Sequence, residues 1–234
     1  MLVDNKFLFL KIPRTATVAF ERSCFLAELS IKYPSDNVLA QRQADKGIEP
    51  RRHAHETFSK LREHFGEDYP VIAIERDPLD RFLSAWKYVI KSISEQNVEA
   101  SKILSSIGNK TFINAWQSEI NHSTNLQDIP KCENFFKQLI PGGIPFNKNV
   151  YMLFTSVMIG PSRWHENNPN ILYFNIRDTQ SLENYVREIT GKPFELITTN
   201  HTKTTETNLV IDKDLQEFYF KLIEPPYKKH GTLI

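Results

Sequence analysis

Arg76, Asp77, Pro78 and Ser84 lie within nine residues of one another, directly after the apolar run Val71-Ile72-Ala73-Ile74. An arginine at a strand end can grip a phosphate through two parallel hydrogen bonds. A serine on the second turn of the following helix can donate a hydroxyl to the same oxygens. A second anion-binding candidate, Lys11-Ile12-Pro13-Arg14-Thr15-Ala16-Thr17, follows another short apolar run, Phe7-Leu8-Phe9-Leu10. A helix opening near Thr17 would present unpaired backbone N–H groups and the positive end of its dipole, with Lys11, Arg14, Thr15 and Thr17 adding charge and hydroxyls. Two such strand-to-helix junctions suit a ligand carrying two separated anionic groups.

Other anion-binding chemistries are less well supported. The Walker A pattern Gly-x-x-x-x-Gly-Lys-Ser/Thr is absent from the chain, as is the dinucleotide glycine fingerprint, so an ATP-using kinase loses its strongest support. No histidine and cysteine spacing suggests a metal site. With 29 basic and 28 acidic side chains, the formal charge of +1 gives no general attraction to nucleic acid or to an anionic membrane. Any anion site must therefore be local. The two cysteines, Cys24 and Cys132, fit a reducing compartment better than a disulfide-stapled scaffold. Phe7 to Leu10 is too short for a membrane span and is cut off by Lys11. The expectation is a cytosolic protein without membrane insertion.

The elements that would position these residues follow from periodicity. Residues 6–12 read as a buried parallel strand, and Val18, Arg22, Phe25, Leu26 and Leu29 recur at helical spacing, predicting a helix over about 17–30. Residues 31–52, with Pro34, Gly47 and Pro50, read as a surface connection. A short helix is expected from Glu56 to Phe65, ending at Gly66, then a strand over Val71–Ile74. The helix after it is well punctuated: Asp77 can cap it, Pro78 suits its first position and Asp80 adds first-turn negative charge. On it Phe82, Leu83, Trp86, Val89 and Ile90 form an apolar face. Arg81, Ser84, Tyr88 and Lys91 form a second face able to meet ligand or solvent. Helices are expected over Thr111–Ile120 and Cys132–Ile140, a strand over Ile171–Ile176, a helix through Leu182 to Gly191, and a last helix over Leu215–Ile223. Alternating strands and helices in 234 residues indicate one α/β domain spanning residues 1–234.

The two junctions resemble those of the sulfotransferases that use 3′-phosphoadenosine 5′-phosphosulfate (PAPS), particularly the carbohydrate sulfotransferase branch. The family's phosphosulfate loop, His-Ile-Pro-Lys-Thr-Gly-Gly-Thr-Ser, is similar to Lys11-Ile12-Pro13-Arg14-Thr15-Ala16-Thr17-Val18-Ala19. Its 3′-phosphate motif, Arg-Asp/Asn-Pro-x-x-Arg-x-x-Ser, is met in full by Arg76 to Ser84. More loosely, His55-Glu56-Thr57-Phe58-Ser59-Lys60-Leu61-Arg62 resembles a His-x-Thr-x-x-x-Ile/Leu-Arg stretch. Asn200-His201-Thr202 and Tyr227 are fainter matches.

The resemblance implies a P-loop-NTPase-like three-layer domain, with a central, mainly parallel sheet flanked by helices. It implies a metal-free reaction with PAPS as donor and adenosine 3′,5′-bisphosphate as product, on an acceptor of carbohydrate type. Lys11, Arg14, Thr15, Ala16 and Thr17 would wrap the phosphosulfate, and Arg76 and Ser84 would hold the 3′-phosphate. Arg14, helped by Lys11, would stabilise charge on the leaving phosphate. His55 is the candidate base, since neutral imidazole accepts protons near neutral pH and Arg51 and Arg52 disfavour its charged form; His53 and Glu56 are its competitors. The chain departs from the family pattern where Arg14 replaces lysine, Ala16 and Thr17 replace two glycines, and Val18 and Ala19 replace Thr-Ser. A nucleotide-dependent kinase of related fold and a non-catalytic nucleotide- or glycan-binding descendant are the alternatives. Trp86, Trp116 and Trp164 read as packing, although Trp164-His165, in a polar stretch, could touch a sugar.

Overall fold

The computed structural model describes residues 1–34, 41, 45, 55–122, 133–141, 158, 160–197 and 205–223. In chain order the described elements are β1 (Leu2–Val3), β2 (Phe7–Leu10), α1 (Thr17–Leu26), β3 (Ile31–Lys32), α2 (Phe58–Phe65), β4 (Val71–Glu75) and α3 (Pro78–Ser94). They continue with α4 (Val98–Ser106), α5 (Asn109–His122), α6 (Glu133–Leu139), α7 (Ser162–His165), β5 (Ile171–Asn175), α8 (Thr179–Thr190) and α9 (Lys213–Phe218), the last running into a π-helical turn, Tyr219–Ile223. These residues gather into two compact units. One is drawn from 1–77 and 161–197 and the other from 78–160 and 205–223.

The first unit is built on a five-stranded sheet of order β3-β1-β2-β4-β5. β2, β4 and β5 run parallel, with Leu8 opposite Val71, Leu10 opposite Ala73 and Glu75 opposite Asn175. β1 pairs antiparallel with both β2 and β3, so the sheet is mixed rather than purely parallel. Alternation along the strands supplies both faces. Phe7, Phe9, Ile72, Ile74 and Phe174 pack with α1 and α8 on one side. On the other, Leu8, Leu10, Val71, Ala73 and Ile171 pack with Phe58 and Leu61 of α2 and Trp164 of α7. Helices thus cover both faces of the sheet, as expected where central strands are apolar throughout.

Two details of this unit differ from the sequence reading. Helix α1 ends at Leu26, not near Ser30. There Glu28 adopts φ 53°, its N–H bonds Phe25 O at 3.1 Å and the Leu29 N–H bonds Cys24 O at 2.9 Å. That pair of bonds is a Schellman termination, with buried Leu29 closing it. The buried face of α1 also differs: it carries the stripe Thr17, Phe20, Glu21 and Cys24 with Ala19 and Ser23 beside it, whereas Leu26 is 73% exposed.

The second unit is helical. Helices α3, α5, α6 and α9 share an aromatic core in which Phe112 meets Trp86 at 5.0 Å and Phe135 at 5.4 Å, both edge-on. Edge-to-face contact suits the ring quadrupoles. Trp86 and Trp116 are core residues here, as their helical spacing suggests.

Candidate functional site

The segment joining β2 to α1 turns tightly and uses its own side chains to do so. The Ile12 N–H bonds Leu10 O at 3.2 Å, and the Thr15 hydroxyl donates to Ile12 O at 2.8 Å. Arg14 (φ 67°) and Ala16 (φ 61°) are both left-handed, whereas Thr15 is not and Thr17 begins α1. Left-handed backbone costs a residue bearing a Cβ roughly 1–2 kcal/mol. Alternation of φ sign along Arg14-Thr15-Ala16-Thr17 is the kind of backbone pattern from which anion-binding nests are built. Ala16 caps α1 without a side-chain hydrogen bond, and no acidic residue stands in the first turn. Neither a cap side chain nor a first-turn acid therefore answers the N–H groups there, which favours an external anion. Thr15 acts in this loop through its backbone, because its hydroxyl proton is already engaged by Ile12.

Lys11 opens the loop, and its side chain pairs with a buried carboxylate of α1. Its Nζ lies 3.3 and 3.1 Å from the two carboxylate oxygens of Glu21, and both side chains are buried, at 3% and 0% exposure. Burial lowers the Lys11 pKa, with the Glu21 carboxylate pulling the other way. The Tyr33 hydroxyl donates to the same carboxylate, and the Lys11 ammonium stands 5.5 Å from the centre of the Tyr33 ring. Sequence reading overlooked Glu21. The signal available was a carboxylate inside the stripe Thr17, Phe20, Glu21, Cys24, which calls for a buried partner.

His55 lies beside this loop, its Nδ1 2.7 Å from the Lys11 carbonyl oxygen. A carbonyl only accepts, so Nδ1 carries the ring proton and Nε2 is the basic nitrogen of the neutral imidazole. Trp164 packs against the ring with centroids 5.6 Å apart. It is a buried core residue, in keeping with its reading as packing. Its neighbour His165 is also buried, and desolvation lowers its pKa to about 4. The His165 Nδ1 accepts the Asn167 N–H at 3.0 Å. Glu166 accepts from the Ser59 N–H at 2.8 Å and from the Ser59 hydroxyl, tying α7 to the first turn of α2. Glu56 is half-buried, 3.8 Å from Lys60. His53, Arg51, Arg52, Asn200, His201, Thr202, Tyr227 and Cys132 lie outside the described residues.

Arg76 is half-buried and follows β4 at once. Since β2 and β4 are paired and parallel, the Arg14 loop and Arg76 leave the same edge of the sheet from adjacent strands, whose paired residues lie about 5 Å apart. In parallel α/β sheets that carboxyl edge is where ligands bind. Asp77 and Pro78 follow Arg76, and α3 begins at Pro78 with Asp80 in its first turn. Ser84 is buried on α3. Arg81, read from its helical face as able to meet ligand or solvent, is fully buried.

Among the described residues no cluster of His, Cys, Asp and Glu could hold a metal ion, and no helix is long and apolar enough to cross a membrane. No curated protein and no solved structure matched the chain. The model of the sulfotransferase family matches residues 1–229, a stretch that takes in the loop bearing Arg14, His55 and the whole span from Arg76 to Ser84. With nearly its full length so matched, the chain belongs to the sulfotransferase family.

Proposed function

We propose that this chain transfers a sulfuryl group from PAPS to a hydroxyl or amine of an acceptor, with carbohydrate the class favoured by its motifs. The observation that carries the reading is the exit of the Arg14 loop and Arg76 from adjacent parallel strands at one sheet edge, within a chain matched by the family over 1–229. The matched stretch draws on both compact units. That supports treating residues 1–234 as one sulfotransferase-like domain with a P-loop-like three-layer core.

The residues suit the donor. The backbone N–H groups of Thr15, Ala16 and Thr17, in a nest at a helix start, match a phosphosulfate, and Arg14 adds the charge that the family's lysine supplies. Arg76 matches a 3′-phosphate, and its motif assigns Ser84 the hydroxyl to the same group. Bound there, PAPS supplies a sulfuryl group activated by a good leaving phosphate. His55 Nε2 accepts the proton of the acceptor hydroxyl as its oxygen bonds to sulfur. Arg14 and the loop N–H groups balance the charge left on the bisphosphate as the bond from sulfur to the bridging oxygen breaks. Lys11 contributes from behind the loop, through its carbonyl on His55 and its pairing with Glu21. No step calls for a metal ion.

The test is transfer of radiolabelled sulfuryl from PAPS across a panel of glycans and simple alcohols and amines. Labelling of a glycan, lost in His55→Ala, is the expected result. Nucleotide binding with no acceptor labelled would instead favour a non-catalytic descendant, and phosphate transfer from ATP with magnesium would favour a kinase.

A further inference from the structure

We infer that Glu21 is a positioning residue for His55, acting through Lys11. The inference rests on His55 serving as the base of the proposed reaction. The geometry is a chain of contacts that all pass through one residue. The Tyr33 hydroxyl donates to the Glu21 carboxylate, which accepts from Lys11 Nζ at 3.1 and 3.3 Å. Lys11 in turn accepts from His55 Nδ1 on its carbonyl oxygen at 2.7 Å. Its side chain therefore reaches to α1 while its carbonyl fixes the imidazole.

Lys11 sits where β2 has ended and the chain bends into the anion loop, a position held by no strand ladder. A buried ion pair adds little net stability, because desolvating both charges offsets their attraction, but it forbids displacement of either partner. Glu21 lies in the middle of α1, packed and fully buried, so it is the fixed end of the pair. Lys11, just past the end of β2, is the end that it holds. Trp164 closes the other side of the imidazole. The ring is thus constrained both in position and in tautomer, with Nε2 kept as the basic nitrogen. Without the pair, only the local turn from Leu10 to Ile12 holds the Lys11 carbonyl, and its grip on one His55 tautomer weakens.

The experiment reads the tautomer directly. Nitrogen-15 histidine spectra of the whole chain are recorded at about pH 8, above the ordinary histidine range, with His55→Ala identifying the signal. Wild type is expected to show a single form protonated on Nδ1. Glu21→Ala should turn this into a mixture of both tautomers. The triple variant Lys11→Met/Glu21→Leu/Tyr33→Phe replaces the pair by apolar groups of similar size and removes the Tyr33 hydroxyl that donates to Glu21, so no buried charge is left uncompensated; it and the double variant Lys11→Met/Glu21→Leu should show the same mixture. A wild-type ring protonated on Nε2, or a single Nδ1–H form surviving in the double variant, would overturn the inference. Calorimetry with adenosine 3′,5′-bisphosphate separates this outcome from the proposed function. If wild type fails to bind it while the tautomers behave as expected, the sulfuryl-transfer reading fails and the positioning of His55 by Glu21 stands.

Discussion

Ala16 occupies the position where the family carries the first of two glycines, yet it keeps the left-handed backbone that glycine would adopt without cost, at φ 61°. The anion nest thus survives the loss of its glycines, under strain. Ala16→Gly is expected to raise the stability of the chain by about 1 kcal/mol, read as a higher melting temperature. An unchanged or lower melting temperature would mean that the loop is not held in this form. Glu21 supplies the opposite case, a charged side chain whose value depends on its partner. Glu21→Ala leaves the Lys11 ammonium buried and uncompensated and should cost about 3–5 kcal/mol in thermal or denaturant unfolding, whereas Lys11→Met/Glu21→Leu should cost far less. Equal losses in the two variants would contradict that account.

Segments that hold the site differ in how plainly their residues announce them. β2 and β4 were legible because unbroken apolar runs are what a strand covered on both faces requires, and β5 showed the same kind of run although as the edge strand it leaves Leu172 exposed. β1 and β3 are only two residues each, too short for any periodic signal. The turn joining β1 to β2 did carry one in Asp4-Asn5, both left-handed, which are residues tolerant of the hairpin turn they make. The face of α1 was misread because three of its six buried residues, Thr17, Glu21 and Ser23, are polar, with Glu21 and Ser23 bonded to Lys11 and Ile197, while exposed Leu26 mimicked a core position. Both strand-to-helix junctions were legible as local patterns; the Lys11, Glu21, Tyr33 and His55 contacts were not, since they join residues ten to forty-four positions apart. The α7 segment also makes a pH prediction. The folded pKa of His165, about 4, lies below the unfolded value near 6.5, so the unfolded chain binds more protons between these limits and stability falls as pH drops through that window. Protonation also removes the acceptor of the Asn167 N–H. Between pH 7 and pH 4 the loss should reach roughly 3 kcal/mol from this group, and His165→Gln should flatten the profile; an identical acid profile in the variant would contradict it.

At the scale of the whole molecule, one sheet edge gathers the β2–α1 loop, His55 and Arg76, while Ser84 rides on the helix that begins three residues after β4 ends. The family match runs the length of both units, and the central claim is that this chain binds a doubly charged nucleotide through Arg14 and Arg76. Ser84→Ala is expected to weaken that binding less than either arginine substitution, because it removes one neutral donor. The most direct measurement is a calorimetric titration of adenosine 3′,5′-bisphosphate, without magnesium, into wild type, Arg14→Ala and Arg76→Ala. The account predicts binding by wild type, weakened about tenfold or more in each variant, the equivalent of about 1.4 kcal/mol. Absence of binding, or affinity unchanged by both substitutions, would contradict it.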